Sequence, residues 1–290
     1  MNGKNTSFAS NNQWQSECNS QIFSFNKPLV MGIVNVTPDS FFDGGKYTDK
    51  TSIVRRVKSM INDGVDIVDI GGMSTRPGAA VISLKEELNR VITAINIIKE
   101  DFPHLSVSID TFRSEVAKKS INAGACMIND ISGGTFDEKM FETVATLNVP
   151  YVLMHIKGTP ETMQKNPIKH NVTENIKRFF EKQTDKLRKT GFDKIILDPG
   201  FGFGKSLECN YRLLKELEKF KIYQYPMLVG ISRKSMINKV LETNPSTALN
   251  GTTVLHVLAL QKGADILRVH DVKEAKEAIK LLDFYTKSAC

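Results

Sequence analysis

The sequence predicts a (β/α)8 barrel of the α/β class, the TIM-barrel architecture, built as a single domain. Two observations lead to this prediction. Short apolar runs alternate with amphipathic helical stretches eight times, and each run is followed by polar or glycine residues. Parallel strands that are buried on both faces show such near-continuous hydrophobicity. A doubly wound open sheet is the alternative fold, but 290 residues suit one barrel with a tail.

The predicted strands are short and nearly all apolar. They occupy residues 29–34, 67–70, 106–109, 126–128, 151–154, 194–197, 227–229 and 266–269. Because polar or glycine-rich residues follow each run, we expect the chain to leave the sheet there and enter a loop before the next helix.

Amphipathic stretches follow these strands. The predicted helices occupy residues 52–63, 83–100, 114–123, 139–147, 172–190, 208–219, 253–262 and 273–284. The second helix has a defined start, because Ser83 and Glu86 form a Ser-x-x-Glu capping box. Eight strands and eight helices close most simply into a barrel.

Composition and charge limit the classes of function. Hydrophobic residues make up 41% of the chain and charged residues 24%, which allows a sizeable core and excludes wholesale disorder. The formal net charge is +7, but the lysines and arginines are spread along helical stretches rather than gathered in a block with aromatic residues. This pattern favours solvated helix faces and small anionic ligands over nucleic acid.

The first residues of the chain differ in composition from the rest. Residues 1–22 are rich in Asn, Ser and Gln, which predicts a flexible, disordered polar tail before a barrel domain at 23–290. The tail lacks the apolar segment of a secretion signal, and no apolar run approaches the length needed to cross a bilayer. We therefore expect a cytoplasmic protein.

The residues after the predicted strands are the candidates for a functional site, because catalytic groups of such barrels lie at the carboxyl ends of the strands. The polar residues found there include Asn35, Arg76, Asp110, Asn129, Asp198, Lys234, Ser235, Arg268 and His270. Any single Asp or Asn in such a place is more simply explained as a helix cap. Capping does not predict Lys234, Arg268 and His270 beside them, so the set indicates one active site.

The acceptor groups of this set suit a planar heterocycle. Carboxylates at Asp110 and Asp198, with the amide of Asn129, can accept hydrogen bonds from adjacent N–H donors of such a ring. Asn35 and nearby acidic residues could ligate a hard cation through oxygen, and Mg²⁺ holding a diphosphate is the natural candidate.

The cationic groups suit a phosphorylated ligand. Arg268, His270 and Arg76 can bind phosphate oxygens, as can a serine hydroxyl and the N–H groups of helix starts. The glycines at 200–204 match neither a Walker loop nor a dinucleotide fingerprint. Zinc-binding and nucleophile-elbow motifs are missing from the sequence, which disfavours zinc hydrolysis and triad chemistry.

Several segments resemble the signature motifs of dihydropteroate synthases. They are Asn-Val-Thr-Pro-Asp-Ser-Phe-Phe-Asp at 35–43, Asp-Ile-Gly-Gly-Met-Ser-Thr-Arg-Pro-Gly at 69–78, Asp-Pro-Gly-Phe-Gly-Phe-Gly-Lys at 198–205, Ser-Arg-Lys-Ser at 232–235 and Arg-Val-His at 268–270. The resemblance extends from about residue 29 to the end of the chain. One position departs from the common pattern, because Met73 stands where many members carry Glu.

The resemblance implies an activity in folate biosynthesis. Such enzymes are transferases that condense 6-hydroxymethyl-7,8-dihydropterin diphosphate with 4-aminobenzoate to give 7,8-dihydropteroate and diphosphate. It implies Mg²⁺ as the cofactor, a homodimer, and competition by sulfonamides, which mimic aminobenzoate. We expect an SN1-like substitution, since carboxylates in a pocket of low polarity stabilise the pterin cation left by the departing diphosphate.

The resemblance also implies a role for each matching residue. Catalytic residues are Asp43, Asp110, Asp198 and Lys234. The pterin diphosphate would contact Thr75, Asp110, Asn129, Asp198, Lys234, Arg268 and His270. The aminobenzoate would contact Phe41, Thr75, Arg76, Pro77, Phe203, Lys234 and Ser235, and Asn35 would ligate the metal.

Two alternatives remain at the level of the sequence. A pterin-binding methyltransferase module shares the barrel and the pterin pocket but hands a methyl group to a corrinoid partner, and it would not need the paired cations for a diphosphate. A catalytically silent barrel would have little use for charged groups at its strand ends, because burial of a charge is costly.

Overall fold

A computed structural model describes residues 16–18, 21–37, 50–74, 78 and 81–288. The strands are β1 Ser16–Cys18, β2 Gln21–Phe23, β3 Leu29–Asn35, β4 Ile67–Gly71, β5 Ser106–Asp110, β6 Met127–Asp130, β7 Tyr151–Met154, β8 Ile195–Asp198, β9 Leu228–Val229 and β10 Ile266–Val269. The eight strands from β3 to β10 form one parallel sheet in the order β8-β7-β6-β5-β4-β3-β10-β9. A parallel bridge between Leu197 and Met227 joins the two edges. The predicted (β/α)8 barrel is therefore confirmed, and the alternative of a doubly wound open sheet is not.

Helices fill the connections between the strands. They are α1 Lys50–Asn62, α2 Leu84–Asp101, α3 Ser114–Asn122, α4 Met140–Leu147, α5 Val172–Arg188, α6 Leu207–Lys215, α7 Ser235–Leu241, α8 Leu249–Gln261 and α9 Val272–Lys287. The predicted helix at 208–219 ends early, and a 3-10 helix at Leu217–Tyr223 follows it. The short helix α7 was not predicted. It buries only Met236 and Ile237, so it leaves no repeating apolar period in the sequence.

The predicted tail at 1–22 lies mostly outside the described residues. Its described part contains a strand pair, in which β1 runs antiparallel to β2 and Ser16 stands opposite Phe23. The flexibility of the remaining tail and the domain boundary at residue 23 stay predictions. Among the helices that the structure describes, none is both long and apolar enough to cross a membrane.

An apolar layer fills the amino-terminal end of the barrel. Its buried members are Phe25, Met31, Ile67, Cys126, Met127, Val152, Ile196, Leu228 and Ile266. A second and larger apolar cluster lies between the barrel and the helices. Because side chains alternate between the two faces of a strand, residues two and four positions after the inner layer also point into the barrel. The polar residues of the strand ends therefore lie together at the carboxyl-terminal mouth of the barrel.

Candidate active site

The strand ends place polar groups directly above the apolar layer. Asp69 lies two residues after Ile67 and Asn129 two residues after Met127. Asp198 follows Ile196 and Arg268 follows Ile266 at the same spacing. The same alternation that buries the apolar layer therefore gives the carboxyl end of the barrel a polar floor.

Arg268 is the centre of this floor and binds two carboxylates. Its Nε lies 2.6 Å from Asp69 Oδ2, and its Nη2 lies 2.7 Å from Asp110 Oδ2. Asn129 Nδ2 donates to the same oxygen of Asp69 at 2.9 Å. Asp69 is fully buried, and Asp110 and Asn129 are nearly so. One guanidinium thus fixes acceptors from two different strands, and Asn129 is locked to them.

The balance of charge in this cluster is uneven, because one cation faces two carboxylates. Burial raises the pKa of Asp110 to about 7, although the charge of Arg268 opposes the change. Burial alone would lower the pKa of Arg268, but the charges of Asp69 and Asp110 outweigh it and raise that pKa. The cluster can therefore exchange a proton at Asp110 near neutral pH while Arg268 stays charged.

Asp198 ends β8 and shapes the glycine-rich loop after it. Its Oδ1 accepts a hydrogen bond from Gly200 N at 2.7 Å. Gly200 has a positive φ of 70°, and a Cβ there would lie 2.0 Å from the carbonyl oxygen of His155. A side chain at this position is excluded, so the loop depends on glycine. Burial raises the pKa of Asp198, and the charge of Lys234 opposes this effect.

Lys205 binds the backbone of the same glycine-rich loop. Its buried ammonium donates to the carbonyl oxygens of Gly200, Phe203 and His155 at 2.7, 3.0 and 3.2 Å. Burial lowers the pKa of Lys205 to about 7, and the charge of Asp198 opposes the change. The glycine-rich loop is therefore wrapped around the ammonium group of Lys205.

Lys234 lies at the N-cap of α7 and reaches the mouth of the barrel. Its Nζ donates to Phe201 O at 2.6 Å and lies 4.7 Å from the centre of the Phe203 ring. Burial lowers the pKa of Lys234 to about 8. A Cβ on Gly230 would lie 3.8 Å from this Nζ and 3.9 Å from Arg268 Cβ, so the two cations flank Gly230. Ser235 follows as the exposed first residue of α7.

His270 follows β10 and is held by Ser232. The Ser232 hydroxyl lies 3.0 Å from His270 Nδ1 and also accepts from the backbone N–H of His270 at 3.2 Å. Burial, together with the charge of Arg268, lowers the pKa of His270 to about 4. The imidazole is therefore neutral at pH 7, and a hydroxyl that donates to Nδ1 leaves Nε2–H as the free donor.

Asn35 ends β3 beside Asp110. In the sheet register Asn35 is opposite Gly71, and Gly71 is opposite Asp110. A Cβ on Gly71 would lie 3.2 Å from Asn35 Oδ1 and 3.7 Å from Asp110 Oδ2, so glycine leaves room for both groups. The described residues contain no cluster of three metal-ligating His, Cys, Asp or Glu side chains. The Asn35 amide offers one oxygen ligand, a donor type that suits a hard cation such as Mg²⁺.

The structure brings most of the predicted site residues to one mouth of the barrel. Five of them lie outside the described residues, namely Phe41, Asp43, Thr75, Arg76 and Pro77. Sequence reasoning gave no role to Asp69, Lys205 or Ser232. The signal for Asp69 was present, because a carboxylate within the apolar strand Ile67–Gly71 requires a buried partner. The other two could not be found without the loop conformation.

Comparison with known proteins agrees with this geometry. The family model for pterin binding enzymes matches residues 31–270. The dihydropteroate synthase of Escherichia coli strain K12 is 45% identical over 258 residues, which cover 88% of this chain and 91% of that protein. The corresponding enzyme of Synechocystis is 44% identical over 260 residues, which cover 89% of this chain and 90% of that protein.

Solved structures give the same result. The Yersinia pestis dihydropteroate synthase in a sulfonamide complex has a TM-score of 0.88 and 38% identity, covering 95% of this chain and 100% of that one. The Xanthomonas albilineans enzyme with 4-aminobenzoic acid has the same TM-score and identity, covering 95% and 99%. These relatives do not favour the methyltransferase alternative. The chain belongs to the dihydropteroate synthase family of pterin-binding enzymes.

Proposed function

We propose that the strand-end site condenses 6-hydroxymethyl-7,8-dihydropterin diphosphate with 4-aminobenzoate to form 7,8-dihydropteroate. The observation that carries this proposal is the buried cluster in which Arg268 holds Asp69 and Asp110 beside Asn129. Such a cluster presents fixed acceptors at the mouth of the barrel, with Arg268 among them and Lys234 nearby as cations. A pterin with a diphosphate substituent has the complementary arrangement of donors and negative charge.

The pterin ring would lie deepest in the barrel. The carboxylates of Asp110 and Asp198 would accept from the ring N–H groups, and the Asn129 amide would complete the set. All three are nearly buried at strand ends, so they are positioned before the ligand arrives. Their negative charge would also stabilise positive charge that develops on the ring as the diphosphate leaves.

The diphosphate would lie at the rim formed by β10 and β3. Arg268 and the Nε2–H of His270 would donate to its oxygens, and Thr75 completes the proposed set. Asn35 would be the protein ligand of Mg²⁺, which neutralises diphosphate charge and makes the group a better leaving group when bound. Because its pKa is low, His270 is neutral and would donate a hydrogen bond to the diphosphate without adding a second positive charge beside Arg268.

The aminobenzoate would bind beside α7. Lys234 lies over the ring of Phe203, and Ser235 is exposed next to it, so a cation, an aromatic face and a hydroxyl are available together. These groups match a benzoate, which has a flat ring and a carboxylate. The proposed set also includes Phe41, Arg76 and Pro77 from the two loops that follow β3 and β4, together with Asp43 as a catalytic residue.

The proposed reaction is an SN1-like substitution at the pterin methylene carbon. The bond from that carbon to the diphosphate oxygen breaks first, and the amine nitrogen of aminobenzoate then forms the new bond and loses a proton. An aromatic amine is largely neutral at pH 7, so a strong general base is not required. Exchange of the bridging oxygen of the diphosphate in the absence of aminobenzoate supports this order, whereas a lack of exchange indicates concerted attack.

The assay for this function measures diphosphate release and dihydropteroate formation by the purified chain. We expect both products only when both substrates are present with Mg²⁺. Product formation that does not depend on aminobenzoate, or binding of the pterin without any turnover, contradicts the proposal. A sulfonamide that competes with aminobenzoate supports the assignment of the second subsite.

The pH profile of kcat/KM should be bell-shaped. Asp110, whose pKa is about 7, offers both oxygens as charged acceptors when ionised, whereas protonation turns one oxygen into a donor, so activity should fall below that pH. Lys234, whose pKa is about 8, is a cation only below that pH, so activity should fall above it. Lys234→Arg should move the alkaline limb upward without moving the acid limb, because guanidinium stays charged. A profile that is unchanged by this substitution would assign the limb to another group.

We also propose that the chain forms a homodimer through α8 and α9. These helices pack against each other and expose Val254, Leu258, Leu281, Phe284 and Tyr285, of which the last three are each more than 70% exposed. A second copy would cover this apolar surface. We expect the parent chain to sediment at twice its mass and Phe284→Asp to sediment as a monomer. The cytoplasmic location stays a prediction.

A further inference from the structure

The turns that follow β9 and β10 are joined by two successive contacts. Ser232 Oγ lies 3.0 Å from His270 Nδ1 and accepts from His270 N at 3.2 Å. The next residue of each turn forms an ion pair, in which Arg233 Nε and Nη2 each lie 2.8 Å from one oxygen of Asp271. The two side chains of this pair are only 22% and 18% exposed. A hydroxyl contact and a two-pronged ion pair therefore join the same two turns at consecutive residues.

The carboxylate of Asp271 is used for this pair and not for its helix. Asp271 occupies the N-cap of α9, where an aspartate ordinarily accepts from backbone N–H groups of the first turn. Its side chain forms no such cap hydrogen bond, and Arg233 binds both of its oxygens. Capping thus does not explain where this carboxylate lies, whereas the contact to Arg233 does.

Arg233 has a backbone conformation that is uncommon for a residue with a side chain. Its φ is 57°, in the left-handed region, and such a conformation persists where the surrounding contacts fix it. Its backbone N–H donates to Thr252 Oγ1 at 3.1 Å, and its Nη1 donates to the carbonyl oxygens of Pro245 and Ser246 at 2.6 and 3.0 Å. Because both the backbone and the guanidinium are held, Arg233 fixes the position of the preceding Ser232.

His270 is held from its other side by α1. Arg56 Nη2 donates to His270 O at 2.7 Å, while the backbone N–H of His270 is bound by Ser232. The backbone of His270 is therefore fixed, and the hydrogen bond at its Nδ1 comes from the Ser232 hydroxyl. The place of that hydroxyl decides which ring nitrogen of His270 carries the proton.

We propose that Arg233 and Asp271 are a positioning pair, which holds the Ser232 hydroxyl on His270 Nδ1 and so keeps the Nε2–H donor available to a diphosphate. This inference rests on the proposed function, in which that donor binds the diphosphate of the substrate. Each member of the pair acts through the residue before it in the chain. Loss of the pair should let Ser232 move and let the imidazole take either tautomer, so that the donor is lost part of the time.

Two substitutions weaken the pair while the surrounding structure is retained. Arg233→Lys keeps the positive charge, but a single ammonium replaces the fork that binds both oxygens of Asp271. Asp271→Asn keeps the shape of the side chain and a favourable N-cap residue for α9, but it removes the charge. Lys276→Gln is the matched control, because Lys276 on the same helix pairs with Asp66 before β4, at the other end of the barrel, with side chains 30% and 29% exposed.

Two ligands separate the diphosphate zone from the deep pocket. Inorganic diphosphate with Mg²⁺ tests the first, and 6-hydroxymethylpterin, which lacks the diphosphate, tests the second. We expect the Kd of diphosphate to rise about tenfold in Arg233→Lys and in Asp271→Asn, the effect of one lost charge-assisted hydrogen bond. The Kd of 6-hydroxymethylpterin should not change. The double variant should bind diphosphate no more weakly than the weaker single variant, because both substitutions act on one contact.

A spectroscopic readout tests the step through His270 and does not depend on turnover. Nitrogen-15 NMR of the imidazole at pH 7 reports which ring nitrogen carries the proton, and the His270 signals are assigned by their loss in His270→Gln. We expect a protonated Nε2 in the parent chain and in Lys276→Gln. Signals averaged between the two tautomers are expected in Arg233→Lys and Asp271→Asn.

The outcomes that would overturn the inference are distinct from failure of the proposed function. A diphosphate Kd at the parent value in both pair variants overturns it, and so does an unchanged His270 tautomer. Equal weakening of 6-hydroxymethylpterin, or the same loss in Lys276→Gln, also overturns it, since the pair would then support the barrel as a whole. A parent chain that forms no dihydropteroate refutes the proposed function alone, because the diphosphate Kd and the His270 spectra still test the pair.

Discussion

Asp198→Asn is expected to weaken binding of the pterin diphosphate by about a hundredfold or more, because hydrogen bonds from the ring would lose their charged acceptor. The asparagine has the same shape and can still accept from Gly200 N, which Asp198 holds at 2.7 Å. The fold should therefore survive while turnover is lost. Calorimetric titration of the variant with the pterin diphosphate measures the effect directly.

The control for this variant is Asp185→Asn on α5. Asp185 is 69% exposed and 4.0 Å from its ion-pair partner Arg188. Loss of its charge should leave both binding and turnover unchanged. If Asp198→Asn binds the pterin diphosphate as tightly as the control does, Asp198 does not belong to the pterin pocket.

Arg268→Met is expected to damage both stability and activity. Removal of the guanidinium leaves Asp69 and Asp110 buried without their counter-ion, and breaking such a buried pair costs about 3–5 kcal/mol of the free energy of unfolding. Turnover should be lost as well, since the diphosphate loses its arginine. Urea unfolding at pH 7 gives the stability, and the diphosphate-release assay gives the activity.

Two further variants distinguish the buried pair from a mere change of charge. Arg212→Met removes an exposed cation from its pair with the partly buried Glu216, which keeps Lys219 and Thr173 as partners, and should cost no more than about 1 kcal/mol. Adding Asp69→Asn to Arg268→Met removes one of the stranded carboxylates and should recover part of the stability without recovering turnover. An Arg268→Met variant that unfolds at the same urea concentration as the parent would show that the buried ion pairs do not stabilise the fold.

The barrel could be predicted from the sequence because its strands and most of its helices each leave a local pattern of apolar residues. The strands from Leu29–Asn35 to Ile266–Val269 are short apolar runs, and the predicted limits agree with the observed ones to within two residues. Helix α2 shows its capping box in the sequence, and Ser83 Oγ indeed accepts from Glu86 N at 3.1 Å. Helix α7 has only seven residues, which is too few for its period to be recognised.

The contacts within the site could not be predicted in the same way. Arg268 meets Asp69 across 199 residues of chain and meets Asp110 across 158. Which strand ends face each other depends on the register of the closed barrel, and register is a property of the whole sheet. The role of Ser232 likewise depends on the loop after β9, which brings its hydroxyl to His270.

The most direct test of the account is a crystal structure of the chain with 6-hydroxymethyl-7,8-dihydropterin diphosphate and Mg²⁺. The ring N–H groups should lie within hydrogen-bond distance of Asp110 and Asp198, with Asn129 at the ring edge. The diphosphate oxygens should lie at Arg268 and His270, and the metal at Asn35. A ring bound outside the barrel mouth, or a diphosphate turned away from Arg268, would contradict it.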